Sequence, residues 1–115
     1  MYDGKRFSEL VNKFMVREVS IMSAKSGEYT EGEDKLQGFR DVAGMQHLGM
    51  SQVALCYLLK HIQSIAIAVK TGKYQWAWET EQGEGLKQRI ADARNYLLLL
   101  AACLDEESDE RGSVG

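Results

Sequence analysis

Three groups of residues have the types and spacing to do chemistry. Glu84, Gln88, Asp92 and Asn95 recur at intervals of four, four and three, so on a helix they line one stripe. Lys60 and His61 interrupt an otherwise apolar segment. Glu28, Glu31, Glu33 and Asp34 form an acidic cluster, with Glu18 upstream. Carboxylates that converge from two helices suit Mg²⁺, which takes oxygen ligands and keeps waters for substrate phosphates. A lysine or histidine beside them neutralises phosphate charge. A magnesium-bound water aimed at a phosphoanhydride would supply hydrolysis.

Each group has a plainer reading as well. Acidic residues before a helix serve its capping and its dipole. A helical lysine lays its stem on apolar surface and keeps its ammonium in water, and the Glu84–Asn95 stripe also describes the wet face of an amphipathic helix. Tyr74, Trp76 and Trp78 can stack on a base or simply pack as a lid. Cys56 and Cys103 lie in apolar stretches without a nearby catalytic partner and read as packing residues. No phosphate-binding glycine loop, metalloprotease helix or zinc spacing occurs.

The elements that must position these residues are helices. The chain has 115 residues, enough for one domain, with 44% hydrophobic and 27% charged residues and no proline. A net charge of -3 opposes direct nucleic-acid binding, whose footprint is a concentrated basic patch. Two distant cysteines fit a reducing cytoplasm, no signal segment is apparent, and Lys60 and His61 break the longest apolar run, so no membrane partner is expected.

Apolar periodicity predicts a first helix over about 7–25, with Gly27 as its cap. A second opens at the capping box Thr30–Glu33, with Gly44 and Gly49 as possible stops. A third runs from a Ser51 cap to Lys70, with Gly72 just past its end, and a fourth spans about 84–104. The expected fold is all-α, a compact bundle of about four helices forming one domain over 1–104, with a polar flexible tail over 105–115. The third helix is apolar on most sides, so completion of the core by a homo-oligomer is expected.

The stretches KSGEYTEGEDKLQGF (Lys25–Phe39), LLKHIQSI (Leu58–Ile65) and RIADARNYLLLL (Arg89–Leu100) together resemble small all-α phage and prophage proteins associated with nucleotide modification. Those in turn are distantly similar to MazG-like and dimeric dUTPase-like nucleotide pyrophosphohydrolases. The resemblance implies a MazG-like bundle with a magnesium site built from an ExxE and an ExxD motif. Asp92 stands where the final aspartate belongs, and Arg89 replaces the glutamate three residues before it. On that reading Asp34, Glu84 and Asp92 would hold Mg²⁺, while Lys25, Lys60 and His61 would face phosphate. Tyr29 and Asn95 would contact the sugar or base of a nucleotide or nucleotide-like small molecule.

The replaced glutamate motivates a second reading, a non-enzymatic phage protein that sequesters a nucleotide signal or binds a host protein. A third is a purely structural role. A basic pocket without paired carboxylates favours the binder, and carboxylates gathered in metal geometry favour the enzyme.

Overall fold

The computed structural model describes residues 1–26 and 34–111; the side chains of 21–26 lie outside that description. Its elements in chain order are α1 (Gly4–Ser26), α2 (Gln37–Gln46), α3 (Met50–Thr71), a short hairpin of β1 (Glu79–Thr80) and β2 (Gly83–Glu84), and α4 (Leu86–Glu110). The architecture is all-α, with four helices among the described residues. The chain divides into two compact units, Met1–Lys35 and Leu36–Gly115.

The first unit is built around α1. This helix begins three residues earlier than periodicity alone predicts, because the Asp3 carboxylate accepts the Arg6 backbone N–H at 2.9 Å and caps the exposed amides of the first turn. Phe14 is its buried aromatic residue. The predicted cap Gly27 and capping box Thr30–Glu33 lie outside the described residues.

The second unit holds the core. Leu36, Ala43, Met50, Val53, Ala54 and Cys103 form the buried cluster, and Phe39, Val42, Tyr57, Leu99 and Leu100 pack against it. These residues come from α2, α3 and α4, so the core sits where the three helices meet. Antiparallel α3 and α4 make the most extensive helix contact.

The ends of these helices show how tertiary partners move boundaries. The α2 helix stops at His47, which takes the left-handed conformation (φ 55°) while the Leu48 N–H bonds back to the Ala43 carbonyl. Gly44, a predicted stop, lies inside the helix. At the start of α3 the N-cap is Gly49 rather than Ser51, and the Gln52 side chain accepts the Gly49 N–H at 2.8 Å. Ser51 contributes differently: its backbone N–H and its hydroxyl both donate to the Glu107 carboxylate, at 3.1 and 2.9 Å. The α3 helix ends as predicted, with Gly72 at φ 69°.

That Glu107 contact, with the Arg40–Glu106 ion pair, extends α4 to Glu110, six residues beyond the predicted end at Leu104. Residues 105–110 are therefore helical rather than tail. By length and composition α3 is apolar enough to cross a membrane despite Lys60 and His61, and most of its residues are not buried.

The segment before α4 forms the hairpin, which delays that helix from Glu84 to Leu86. The N–H groups of Leu86 and Lys87 donate to the Gln75 and Ala77 carbonyls, at 2.9 and 3.2 Å, so the loop caps α4 with its own backbone. Gly85 makes the approach possible, since a Cβ there would lie 1.9 Å from the Ala77 carbonyl oxygen.

Two substitutions test these ends. Replacing His47 with Gly relieves a left-handed non-glycine residue and should stabilise the fold by about 0.5–1 kcal/mol, a rise of a few degrees in Tm. Gly85→Ala should instead cost several degrees, because the backbone of Ala77 cannot yield without releasing the α4 cap. Thermal denaturation followed by circular dichroism reads both.

Candidate functional site

The polar stripe of α3 carries Lys60 and Ser64, and one further turn each brings Ile67 and Thr71 to the same side. Beyond Thr71 the left-handed Gly72 reverses the chain. The Thr71 hydroxyl then donates to the Ile67 carbonyl at 2.8 Å and accepts the Lys73 N–H at 3.3 Å. This fixes the backbone of Lys73 next to the end of α3. Arg89 arrives from the first turns of α4 and donates to the Ser64 hydroxyl across the helix pair at 3.4 Å.

The result is an open groove of about 540 Å³ walled by Lys60, Lys73, Arg89, Gln63, Ser64 and Thr71. Ile67 and Ala68 complete its lining. The volume lies within the range of small-molecule sites, roughly 300–1,000 Å³. Three cations line this groove in a protein whose net charge is -3, and α3 contains no Asp or Glu. Guanidinium, ammonium and hydroxyl groups are donors, so the groove is chemically suited to a ligand rich in anionic oxygen. A second depression of about 520 Å³ beside the hairpin has the opposite sign, with Glu79 and Glu81 on its wall.

Next to the groove, His61 and Tyr57 of α3 meet Tyr96 of α4. The Tyr57 and Tyr96 rings stack at 6.0 Å between centroids, and the His61 ring lies 4.7 Å from Tyr96. Phe39 of α2 closes the cluster at 5.9 Å from Tyr57. Burial pushes the Tyr96 phenol above its ordinary pKa, and the nearby Tyr57 phenol and Asp92 carboxylate act in the same sense. Tyr96 therefore stays neutral through the physiological range. The Lys60 ammonium lies 5.8 Å from the Tyr57 ring centre, which links the aromatic cluster to the groove.

The other residues singled out from sequence fall elsewhere. Lys25 is on α1, its side chain outside the described residues, and Tyr29 is outside them altogether. Asp34 is exposed ahead of α2, and Glu84 is exposed on β2. Asp92 accepts the Gln88 amide at 3.0 Å within α4, where Gln88 is buried. Asn95 is half-buried on the same helix. Among the described residues no group of three or more His, Cys, Asp or Glu side chains is placed to hold a metal ion, and Asp34, Glu84 and Asp92 do not form one.

Trp76 and Trp78 present their rings to the Lys87 ammonium, at 5.4 and 5.8 Å, rather than to the groove. Of the groove cations only Lys60 was singled out from sequence. The resemblance marks Arg89 only as the residue that replaces a glutamate, and Lys73 carries no signal beyond directly following the helix-ending Gly72.

The Gln88–Asp92 bond has a measurable consequence. Asp92→Ala removes an acceptor from a buried amide and should cost about 1–2 kcal/mol. Asp92→Asn keeps a carbonyl oxygen for Gln88 and should cost clearly less. Equal losses of stability in the two variants, measured by urea denaturation, would show that the hydrogen bond is not what Asp92 contributes.

Compared with known proteins, the chain matches no protein-family model, no curated protein and no solved structure, and the chemistry of the groove rests on its own residues.

Proposed function

We propose that this protein binds a phosphate-bearing, nucleotide-like small molecule in the groove between α3 and α4, as a binder rather than a hydrolase. The observation that supports this reading is the lining of one groove by Lys60 of α3, Lys73 just past the end of α3 and Arg89 of α4. Arg89 offers a planar fork of donors to a phosphate, and the two lysines supply point charges. Ser64, Thr71 and Gln63 add neutral polar groups that can orient the ligand. Ile67 gives an apolar surface on which a sugar or base can rest.

The same proposal carries the MazG-like relationship, the phage origin and cytoplasmic action that the sequence suggests. A site between two helices of an all-α fold suits that relationship. Arg89 has the central part in it. It stands at the position where the resemblance would place a magnesium-binding glutamate, and its guanidinium replaces a metal ligand with hydrogen-bond donors for an anion. Sequestration of a nucleotide then needs no reacting water, only charge complementarity.

Thermal unfolding against a panel of nucleoside mono-, di- and triphosphates and inorganic tripolyphosphate, each with and without Mg²⁺, tests the reading. A ligand at a hundred times its dissociation constant should stabilise the fold by about 2.7 kcal/mol. The shift should grow with phosphate number, persist without Mg²⁺ and shrink as salt rises. In the Arg89→Gln/Lys73→Gln double variant affinity should fall at least tenfold. No shift with any probe, or an undiminished shift in that variant, overturns the proposal.

A further inference from the structure

One face of α3 remains uncovered by the rest of its unit. Leu55, Leu59, Ile62, Ala66 and Val69 recur at intervals of four, three, four and three, and all five are exposed. Leu59 is 55% exposed and Val69 63%. Val53, Ala54, Leu58 and Ala68, which face the core, are buried. A 4–3 apolar repeat is the seam of a two-helix coiled coil, where each side chain inserts between residues of a facing helix. Over the 14 steps from Leu55 to Val69 the seam is roughly 21 Å long.

We propose that the partner on this seam is a second copy of the chain, with its α3 packed antiparallel to the first. The charges around the seam supply the argument. No acidic residue occurs anywhere in α3, and its two lysines lie outside the 4–3 positions. Its C-terminal end is basic, carrying exposed Lys70 and then Lys73. Its N-terminal end is acidic by association. The bonds from Ser51 to Glu107 hold the last turns of α4 beside it, with exposed Asp105, Asp109 and Glu110.

An antiparallel pair sets the basic end of each copy against the acidic end of the other. A parallel pair sets like against like at both ends. Two-fold symmetry makes one such patch complementary to itself and closes the assembly at two chains. Gln63 flanks the seam and also lines the groove, so the two features adjoin along α3. The dimer does not depend on the ligand reading.

Sedimentation equilibrium of the full chain tests the proposal. At tens of micromolar the expected mass is twice the 12.9 kDa of one chain. Ile62→Glu, at an exposed position that leaves the core intact, should give a monomer with an unchanged far-ultraviolet spectrum. A monomeric wild-type protein overturns the dimer, as does a dimer that survives Ile62→Glu.

The direction of packing is read separately. For antiparallel copies the dissociation constant should rise several-fold between 50 and 500 mM NaCl, and rise again in Lys70→Glu/Lys73→Glu. Tighter association at high salt would overturn the antiparallel assignment. Flotation with vesicles of phosphatidylcholine and phosphatidylglycerol covers the remaining occupant, because lipid binding that Ile62→Glu abolishes would assign the seam to a membrane surface instead.

Discussion

The Glu107 carboxylate at the N-terminus of α3 is the contact on which the second unit depends. A helix start leaves backbone N–H groups without intrahelical partners, and a negative charge there is doubly suited to them. Glu107 accepts both donors of Ser51, while neighbouring Glu106 pairs with Arg40 of α2. Two adjacent residues at one end of α4 thereby hold both other helices of the unit. The ion pair is partly exposed and contributes little by itself, whereas two hydrogen bonds to a half-buried carboxylate are each worth about 1.5–3 kcal/mol.

That anchor sets the register of α3 against α4. From Tyr57–Tyr96 to Ser64–Arg89 the pairs advance seven residues up one helix and seven down the other, as two antiparallel helices in fixed register must, and Ser51–Glu107 lies further along the same pair of helices. The groove is the far end of this ladder. Arg89 reaches Ser64 because Glu107 holds Ser51, some 20 Å away along α3. At the near end of α4 the backbone cap from Gln75 and Ala77 fixes the first turn, so the helix carrying Arg89 is held at both ends.

Local signals made the helices legible in the sequence, and contacts distant in sequence explain where the boundaries differ. The apolar spacing of Val53, Leu58 and Ile62 marks α3 without reference to anything outside it, and Gly72 ends it through its own freedom at positive φ. His47 gives no such signal, because its left-handed conformation follows from the Ala43–Leu48 bond and the need to turn into Gly49. The acidic run at 105–110 opposes the helix dipole and reads locally as tail, yet Arg40 and Ser51 supply its partners from far along the chain. The hairpin was invisible for a related reason, since two-residue strands have no periodicity to read. For the site, Lys60 stands out as a charge in an apolar helix. Arg89 and Lys73 look like ordinary surface residues until the antiparallel register brings them to it, and Asp92 looks like a ligand until Gln88 is seen to be buried beside it.

The distribution of charge joins the groove to the seam. An acidic protein can hold an anion only where its own carboxylates are kept away, because like charges disfavour one another through a low-dielectric wall. Here the separation is partial: α3 has no acidic side chain, and α4 gathers Asp105, Glu106, Glu107, Asp109 and Glu110 at the end remote from Arg89, with Asp92, bonded to Gln88, one turn from it. The same segregation polarises the uncovered face of α3, basic at one end and acidic at the other. On the proposed readings, the arrangement that would suit the groove to phosphate would also give two copies of the chain a preferred direction in which to meet. In such a pair the acidic end of the second copy would lie close to Lys70 and Lys73, so dimerisation and anion binding would draw on overlapping charge.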